Sequence, residues 1–337
     1  MYYGAADVHS DNTCLGIIDQ TGQKVFKTKV YNYPKLILDK LEPFKDTLQG
    51  IVVESTFNWY WIADALMEAG YRVHLANPAA IKQYEGLKHT NDFDDAFHLA
   101  NLLRLGILPE GYIFPKEQRA VRDLLRKRLL LVRHRTSHIL SFQSLYCRHT
   151  GLSLRGSDVQ RFRDNEYNDL SPLDYVQLAG QANILSMRFF SSLIERIEKK
   201  ILSVMALQPR FIKLKTIPGV GDILGLTIAL ETGDITRFPK VGNYASYCRM
   251  VSSQHLSNEK KKSQGNRKNG NRYLCWAFIE AAHFALRYCP PAKRFHQRKL
   301  AKTKKVIATK ALAHKLARAA YFIMRDQVDF NPQQLFA

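Results

Sequence analysis

The sequence predicts a mixed α/β domain over residues 1–112, a long helical spacer over 113–206 and a mainly α domain over 207–337. Three observations lead there. Short β-forming runs alternate with helix-patterned segments in the first part of the chain. Two long stretches of helical apolar spacing follow. The last part carries further helices separated by Gly, Pro and a basic Asn/Gly-rich loop. At 337 residues and 46% hydrophobic content, the chain is long enough and apolar enough to build two or three domains with real cores.

Tyr2 to Val8, Thr13 to Ile18 and Lys24 to Val30 read as strands. The connections between them, Ser10-Asp11-Asn12 and Asp19-Gln20-Thr21-Gly22, are short and turn-like, so the three pair as antiparallel hairpins. Pro34 to Phe44 reads as a helix with proline in its first turn. Gly50 to Glu54 is a continuous apolar run closed by an acid, the pattern of a strand buried on both faces. Phe57 to Ala69 reads as a helix ended by Gly70, and Tyr71 to Ala76 as a strand closed by Asn77-Pro78. Strand–crossover–strand units lay the last two strands parallel beside the hairpins, which makes a mixed sheet.

Next comes an acidic stretch, His89 to Ala96, in a chain with 50 Lys and Arg against 30 Asp and Glu. Helical spacing continues through Phe97 to Arg104, so the acids open a helix. Asp92 and Asp95 are three residues apart and share a face, whereas Asp94 turns about 100° away and is expected to face solvent. Two readings of Asp92 stand at this point. It caps the helix, where the macrodipole favours negative charge, or it belongs to a cation site. Asp7 lies near the end of the first strand and Glu54 at the end of the fourth, and open α/β sheets gather their sites at the carboxyl ends of strands. Asp7, Glu54, Asp92 and Asp95 at one rim cannot all ionise without cations. An all-oxygen donor set suits Mg²⁺ or Mn²⁺. Two such ions would clamp a phosphodiester.

In the spacer, Glu117 to Tyr146 carries an apolar stripe of Val121, Leu124, Leu125, Leu129, Val132, Ile139 and Leu145. Arg119, Arg122, Arg126, Arg133 and their neighbours occupy the other faces, making a long basic amphipathic helix. A second helix runs from about Leu173 to Met205 with Leu185, Phe189, Phe190, Leu193, Ile197 and Ile201 as its seam. An antiparallel hairpin, a dimer-forming coiled coil and ordinary packing helices all fit this pattern.

In the last domain, Ile217 to Gly225 resembles the turn of a helix-hairpin-helix, whose glycines let backbone N–H groups approach phosphate. Met250 to Leu274 reads as a loop. Its Lys260, Lys261, Lys262, Arg267, Lys268 and Arg272 make it a phosphate-binding element. Tyr273 to Tyr288 and Ala292 to Asp326 read as two closing helices, the second strongly basic at its start.

The net charge of +20 and pI near 9.7 point to a polyanionic partner, nucleic acid before a membrane surface. No apolar run approaches the roughly 20 residues that span a bilayer. The N-terminus has no basic-then-apolar leader. Cys14, Cys147, Cys248, Cys275 and Cys289 form no C-x-x-C pair and the histidines are dispersed, which fits a reducing cytoplasm and argues against zinc.

Several stretches together resemble a known group of enzymes. They are Gly4-Ala5-Ala6-Asp7-Val8-His9, Val53-Glu54-Ser55-Thr56, Val73-His74-Leu75-Ala76-Asn77-Pro78 and Asn91-Asp92-Phe93-Asp94-Asp95-Ala96. The strand order with acids in these places resembles the ribonuclease-H/RuvC superfamily, and more closely the DEDD transposases of one bacterial insertion-sequence family. The relatives of that family include the Piv invertases and the bridge-RNA-guided recombinases. Lys268-Asn269-Gly270-Asn271-Arg272-Tyr273-Leu274 resembles the signature of the family's C-terminal domain, in which a serine of an S-G pair precedes a basic segment. Ser257 is the matching serine, with Asn258 in place of the glycine; Ser252 and Ser253 compete if the register slips.

The resemblance implies an RNase H/RuvC-like N-terminal domain with Asp7, Glu54, Asp92 and Asp95 as the DEDD set on Mg²⁺, and a coiled-coil spacer. It implies a homo-oligomer of dimer to tetramer size that is cytoplasmic and nucleoid-associated. It further implies a transposase of an insertion sequence whose Ser257 forms a transient 5′-phosphoserine link to DNA, with a structured RNA pairing donor and target. A RuvC-like Holliday-junction endonuclease using water as nucleophile is the alternative enzyme, and a non-catalytic nucleic-acid scaffold the alternative of another class.

Overall fold

The computed structural model describes residues 1–81, 91–163, 166, 170–205, 209–251, 254–257, 260–264 and 269–336; at 204, 205, 209, 210, 254–257 and 260–264 only the backbone is described. The chain divides into two compact units, residues 1–116 and residues 117–265 with 270–337.

The first unit is built on five strands: β1 (Tyr2–Val8), β2 (Asn12–Asp19), β3 (Lys24–Tyr31), β4 (Leu48–Glu54) and β5 (Val73–Ala76). Their order is β3-β2-β1-β4-β5, with β1–β2 and β2–β3 antiparallel and β1–β4 and β4–β5 parallel. Helices α1 (Pro34–Leu41) and α2 (Tyr60–Glu68) are the crossovers, and α3 (Asp92–Arg104) follows. The strands fall into place as the sequence pattern implies. The first helix closes three residues early because Glu42-Pro43-Phe44 tightens into a 3₁₀ turn.

Two-residue periodicity sorts the sheet into two faces. Ala6, Val8, Leu15, Ile17, Ile51 and Val53 pack in one cluster with Ile37 and Leu41 of α1 and Ile62 and Leu66 of α2. Ala5, Ile18 and Val52 pack on the opposite face with Ala96, Phe97, Leu99 and Ala100 of α3. Gly16 is the closest approach: a Cβ there would lie 3.1 Å from the Phe97 ring and 3.3 Å from the Ala96 methyl. Asn91 caps α3, its side-chain oxygen accepting from the N–H groups of Phe93 and Asp94 at 3.1 and 3.0 Å.

The second unit opens with α4 (Lys116–Thr150), then a short α5 (Gly156–Gln160) and α6 (Asp174–Met205). The two long helices run antiparallel within one chain. Arg128 pairs with Glu198 at 2.6 Å, the His134 and His138 rings stack on Phe190, and His138 meets Asn183 at 3.3 Å. Of the expected seam of α6, Ile201 is buried and Phe190 meets α4, while Leu185 and Phe189 stand 53% and 60% exposed and Ile184, Met187 and Ile194 are buried instead. On α4, Arg119 and Arg122, expected on the basic faces, are buried. At i, i+3 and i+6 they share the face of Leu125.

Short α7 (Pro209–Leu214), α8 (Asp222–Thr232) and α9 (Val241–Tyr247) lead to a two-stranded ribbon, β6 (Gln254–Ser257) with β7 (Lys260–Gln264). This ribbon corrects the expectation of a loop. Only two residues separate the strands, and that is the length of a hairpin connection. Helices α10 (Arg272–Tyr288), α11 (Pro290–Leu300), α12 (Lys305–Asp326) and α13 (Pro332–Phe336) close the unit. The single helix expected from Ala292 to Asp326 is therefore two. Arg298, Lys299, Lys302, Lys304 and Lys305 crowd the break, and like charges three and four apart disfavour a continuous helix. Leu274, Phe278, Ala281 and Ala285 of α10 form the core with Leu312, Leu316 and Tyr321 of α12. Gly219, before α8, has φ +91° and sits so close to α10 that a Cβ would reach the Phe284 Cβ at 2.6 Å.

Candidate active site

The sheet register assembles the site. Asp7 pairs with Cys14 across β1–β2, and Cys14 with Lys29 across β2–β3. Directly paired residues point to the same face. Glu54 follows the Ala6–Val53 pair by one residue and lies beside Asp7. Lys29, Cys14, Asp7 and Glu54 thus form one row across four strands, on the face that α3 covers. The first turn of α3 supplies Asp92 and Asp95. Asp92 is no cap, because Asn91 holds that place.

The row is acidic and tightly coupled. Burial pushes the Asp7 carboxyl up; His9 pulls it down, while the charges of Asp95 and Asp92 push it further up. Burial likewise raises Glu54, reinforced by Asp7 and Asp95. Lys29 Nζ lies 3.3 Å from Asp92 Oδ2. Among the described residues, no side chain pairs with the carboxylates of Glu54 or Asp95. The structure brings Asp7 into electrostatic range of Glu54, Asp92 and Asp95, and Glu54 into range of Asp95. Asp94 faces solvent as expected, and there the exposed Lys24 of β3 pairs with it at 2.7 Å.

His9 and Cys14 escaped the sequence reading. His9 Nε2 lies 3.1 Å from Asp7 Oδ2 and 3.5 Å from Asp92 Oδ2. The Cys14 thiol donates to Asp92 Oδ2 at 3.9 Å. The signal for Cys14 was available, since a tight turn after Val8 fixes the hairpin register that sets residue 14 opposite residue 7. No sequence spacing announces His9, whose ring returns over the row only because of the turn.

In the second unit, the strand-end pair Ser257–Lys260 closes the ribbon, with Leu256 opposite Lys261. The side chains of Ser257, Lys260, Lys261 and Lys262 lie outside the described residues, as do Ser252, Ser253, Arg267 and Lys268 altogether. Arg133 and Arg272 are exposed. Arg126 is a correction. Its guanidinium forks onto the buried Glu231 at 2.6 and 2.8 Å and stacks 4.5 Å from the Tyr273 ring centre, so its donors are committed inside the unit. Asn271 completes the arrangement. Its amide donates to Glu231 at 2.7 Å, and its oxygen caps α10 by accepting from the N–H groups of Tyr273 and Leu274. Gly270 has φ +80°, and a Cβ there would meet the Tyr247 carbonyl at 2.7 Å. The Gly-Asn of the signature is thus a helix start that binds a buried acid.

Residues 5–146 match the family described as the DEDD transposase of the IS110 type, and residues 213–297 match the family described as "Transposase IS116/IS110/IS902 family". The chain is a transposase of the IS110/IS116 family. It is 25% identical over 288 residues to a probable family 20 transposase of Pseudomonas aeruginosa, covering 81% of this chain and 82% of that protein. It is 26% identical to the transposase for insertion sequence element IS1111A of Coxiella burnetii, over 68% of this chain and 63% of the relative. Identity to the transposase for IS1328 of Yersinia enterocolitica is 23%, over 83% and 85% of the two chains. The family implies that the transposase cuts and rejoins DNA, and its DEDD domain suggests a divalent metal. No helix among the described residues is long and apolar enough to cross a membrane.

The residues fit such an ion. Four carboxylates offer oxygens, burial and the neighbouring acids raise Asp7 and Glu54, and His9 Nε2 is buried without an aligned hydrogen-bond partner. Oxygen donors of this kind suit a hard divalent cation.

Proposed function

We propose that the transposase is a serine-dependent DNA recombinase of an insertion sequence. Residues 1–112 hold the metal on Asp7, Glu54, Asp92 and Asp95; residues 113–206 space the active parts; and residues 207–337 present Ser257. The observation that carries this reading is the row of acids at the strand ends, facing the two acids of α3. Bound there, two Mg²⁺ or Mn²⁺ ions would offset the carboxylate charge, lower the cost of deprotonating a hydroxyl and stabilise a phosphate under attack. Ser257 Oγ attacks a DNA phosphorus and loses its proton to water. The bond from phosphorus to the 3′ oxygen breaks, that oxygen regains a proton, and the 5′ end stays on the serine. A 3′ hydroxyl of the exchanged strand reverses the step and rejoins the DNA.

Lys260, Lys261, Lys262, Arg267, Lys268, Arg272 and Arg133 would neutralise backbone phosphates of donor and target DNA. The net charge of +20 supports such a partner. A structured guide RNA pairing with both DNA sites follows from the family resemblance alone. So do a nucleoid-associated cytoplasmic location and a coiled-coil spacer. A homo-oligomer of dimer to tetramer size is further supported by Leu178, Leu185 and Phe189 on α6, which are 65%, 53% and 60% exposed along one stretch of helix.

Trapping tests the serine. Denaturing gels of protein incubated with element-end DNA and Mg²⁺ should show a covalent adduct that Ser257→Ala abolishes. Undiminished cleavage by Ser257→Ala would instead establish the second reading, a junction nuclease in which water attacks. RNA copurified from cells carrying the flanking DNA, once sequenced, should be one discrete structured species; random RNA would remove guidance from the proposal.

A further inference from the structure

The row contains a second donor set of a different chemical character. His9 Nε2, Cys14 Sγ and Asp92 Oδ2 lie within 4.8 Å of one another. A tetrahedral ion bound to nitrogen and oxygen at about 2.1 Å and to sulfur at about 2.3 Å spaces its ligands about 3.3–3.7 Å apart. The observed separations are 3.5 Å from His9 to Asp92 and 3.9 Å from Cys14 to Asp92. His9 and Cys14 lie within 4.8 Å of each other, so closing on an ion asks these side chains to move by at most about 1 Å. We infer that His9, Cys14 and Asp92 form a site for a thiophilic divalent transition ion of the Zn²⁺ class, overlapping the hard-cation set at Asp92.

Three features build the site beyond proximity. His9 Nε2 is buried from water and aligned with no hydrogen-bond partner among the described residues, although two carboxylates stand beside it. Its backbone is pinned: the N–H donates to Asn12 O, and the carbonyl accepts from Asn32 at 2.9 Å and Asn58 at 2.7 Å. The imidazole is therefore held over the row before any ion arrives. Cys14 is fully buried in the middle of a strand, with its sulfur directed at Asp92, and sulfur selects Zn²⁺, Co²⁺ or Cd²⁺ over Mg²⁺. Binding releases the thiol proton to solvent. The one described cation on Asp92 is Lys29, whose ammonium an incoming ion would displace.

Dispersed cysteines and histidines in the sequence argued against zinc. The strand register reverses that for one pair, because residues 9 and 14 flank a hairpin turn and return to the same place.

The consequence for DNA cleavage rests on the reading above: a soft ion held by these three residues withdraws Asp92 from the four acids and inhibits Mg²⁺-supported cutting. Binding itself does not rest on it and is measured separately. Full-length protein stripped by chelator is titrated with Co²⁺ and followed by its thiolate-to-cobalt absorption. One equivalent should produce the band, Zn²⁺ should displace it, and a large excess of Mg²⁺ should not. Cys14→Ser should abolish the band, His9→Gln should weaken cobalt binding tenfold or more, and Lys29→Met should tighten it. Cys147→Ser, at the exposed cysteine, should leave it unchanged. No band in the native protein, or a band that persists in Cys14→Ser, overturns the site. Should Cys14→Ser fail to fold, His9→Gln decides: its side chain is 41% exposed, and native cobalt affinity in that variant is equally fatal. The band is also expected in Ser257→Ala, so loss of the recombinase reading leaves this result standing.

Discussion

The transposase buries acid in two places and treats it in opposite ways. At Glu231 a carboxylate that is 1% exposed receives two guanidinium donors from Arg126 and an amide from Asn271. In the N-terminal row, Asp7 and Glu54 face each other and Asp95, and the described lysine beside the row, Lys29, pairs with Asp92 instead. One acid is finished as a structural part. The others are left in want of positive charge, and stability is given up for a function that brings the charge from outside. Both places carry acids inside family-matching segments, and only the geometry tells them apart.

The contrast is broken most directly at Arg126. Arg126→Ala leaves the Glu231 charge buried with no cation, only the Asn271 amide, and should destabilise the protein by about 3–5 kcal/mol. Denaturant unfolding of the purified chain reads this, and an unchanged midpoint would mean that water replaces the guanidinium at no cost. Asn271→Ala removes a helix cap and one donor to the buried acid; a loss of about 2 kcal/mol is expected in the same measurement.

In the row the sign reverses. Asp7→Asn relieves repulsion and should stabilise the protein by about 1 kcal/mol while removing metal-dependent DNA cleavage. A destabilised variant would show that the aspartate is structural, as Glu231 is. The smallest effect is a pH slope. Because the folded unit holds Asp7 and Glu54 protons that the unfolded chain releases from about pH 4, stability falls as pH rises through the raised values of these groups. The Asp7→Asn, Glu54→Gln double variant should flatten that part of the profile of unfolding midpoint against pH.

Much of the first unit was legible in the sequence, because each strand repeats a period of two and each helix a period near 3.6 between clear turn signals. The four acids were legible as a set because strand ends and a helix start are positions that such patterns locate. His9 was not, since a turn residue's ring direction depends on hydrogen bonds from Asn32 and Asn58, far along the chain. The second unit was read less well. Apolar residues cover more than one face of α6, so periodicity alone favoured Leu185 and Phe189 over Ile184 and Met187. Arg126 looked like a solvent-facing cation because charge pattern carries no information on a buried partner contributed by a distant helix.

Gly16 gives the N-terminal unit a tolerance limit. Its single hydrogen lets α3 rest on β2, and an alanine methyl at 3.1 Å from Phe97 would have to lift the helix by a few tenths of an ångström. Metal ligands are placed to within about 0.2 Å of their proper distances. A residue with no side chain therefore acts as the shim under Asp92 and Asp95. Gly16→Ala would leave every acid present while setting two of them at the wrong height.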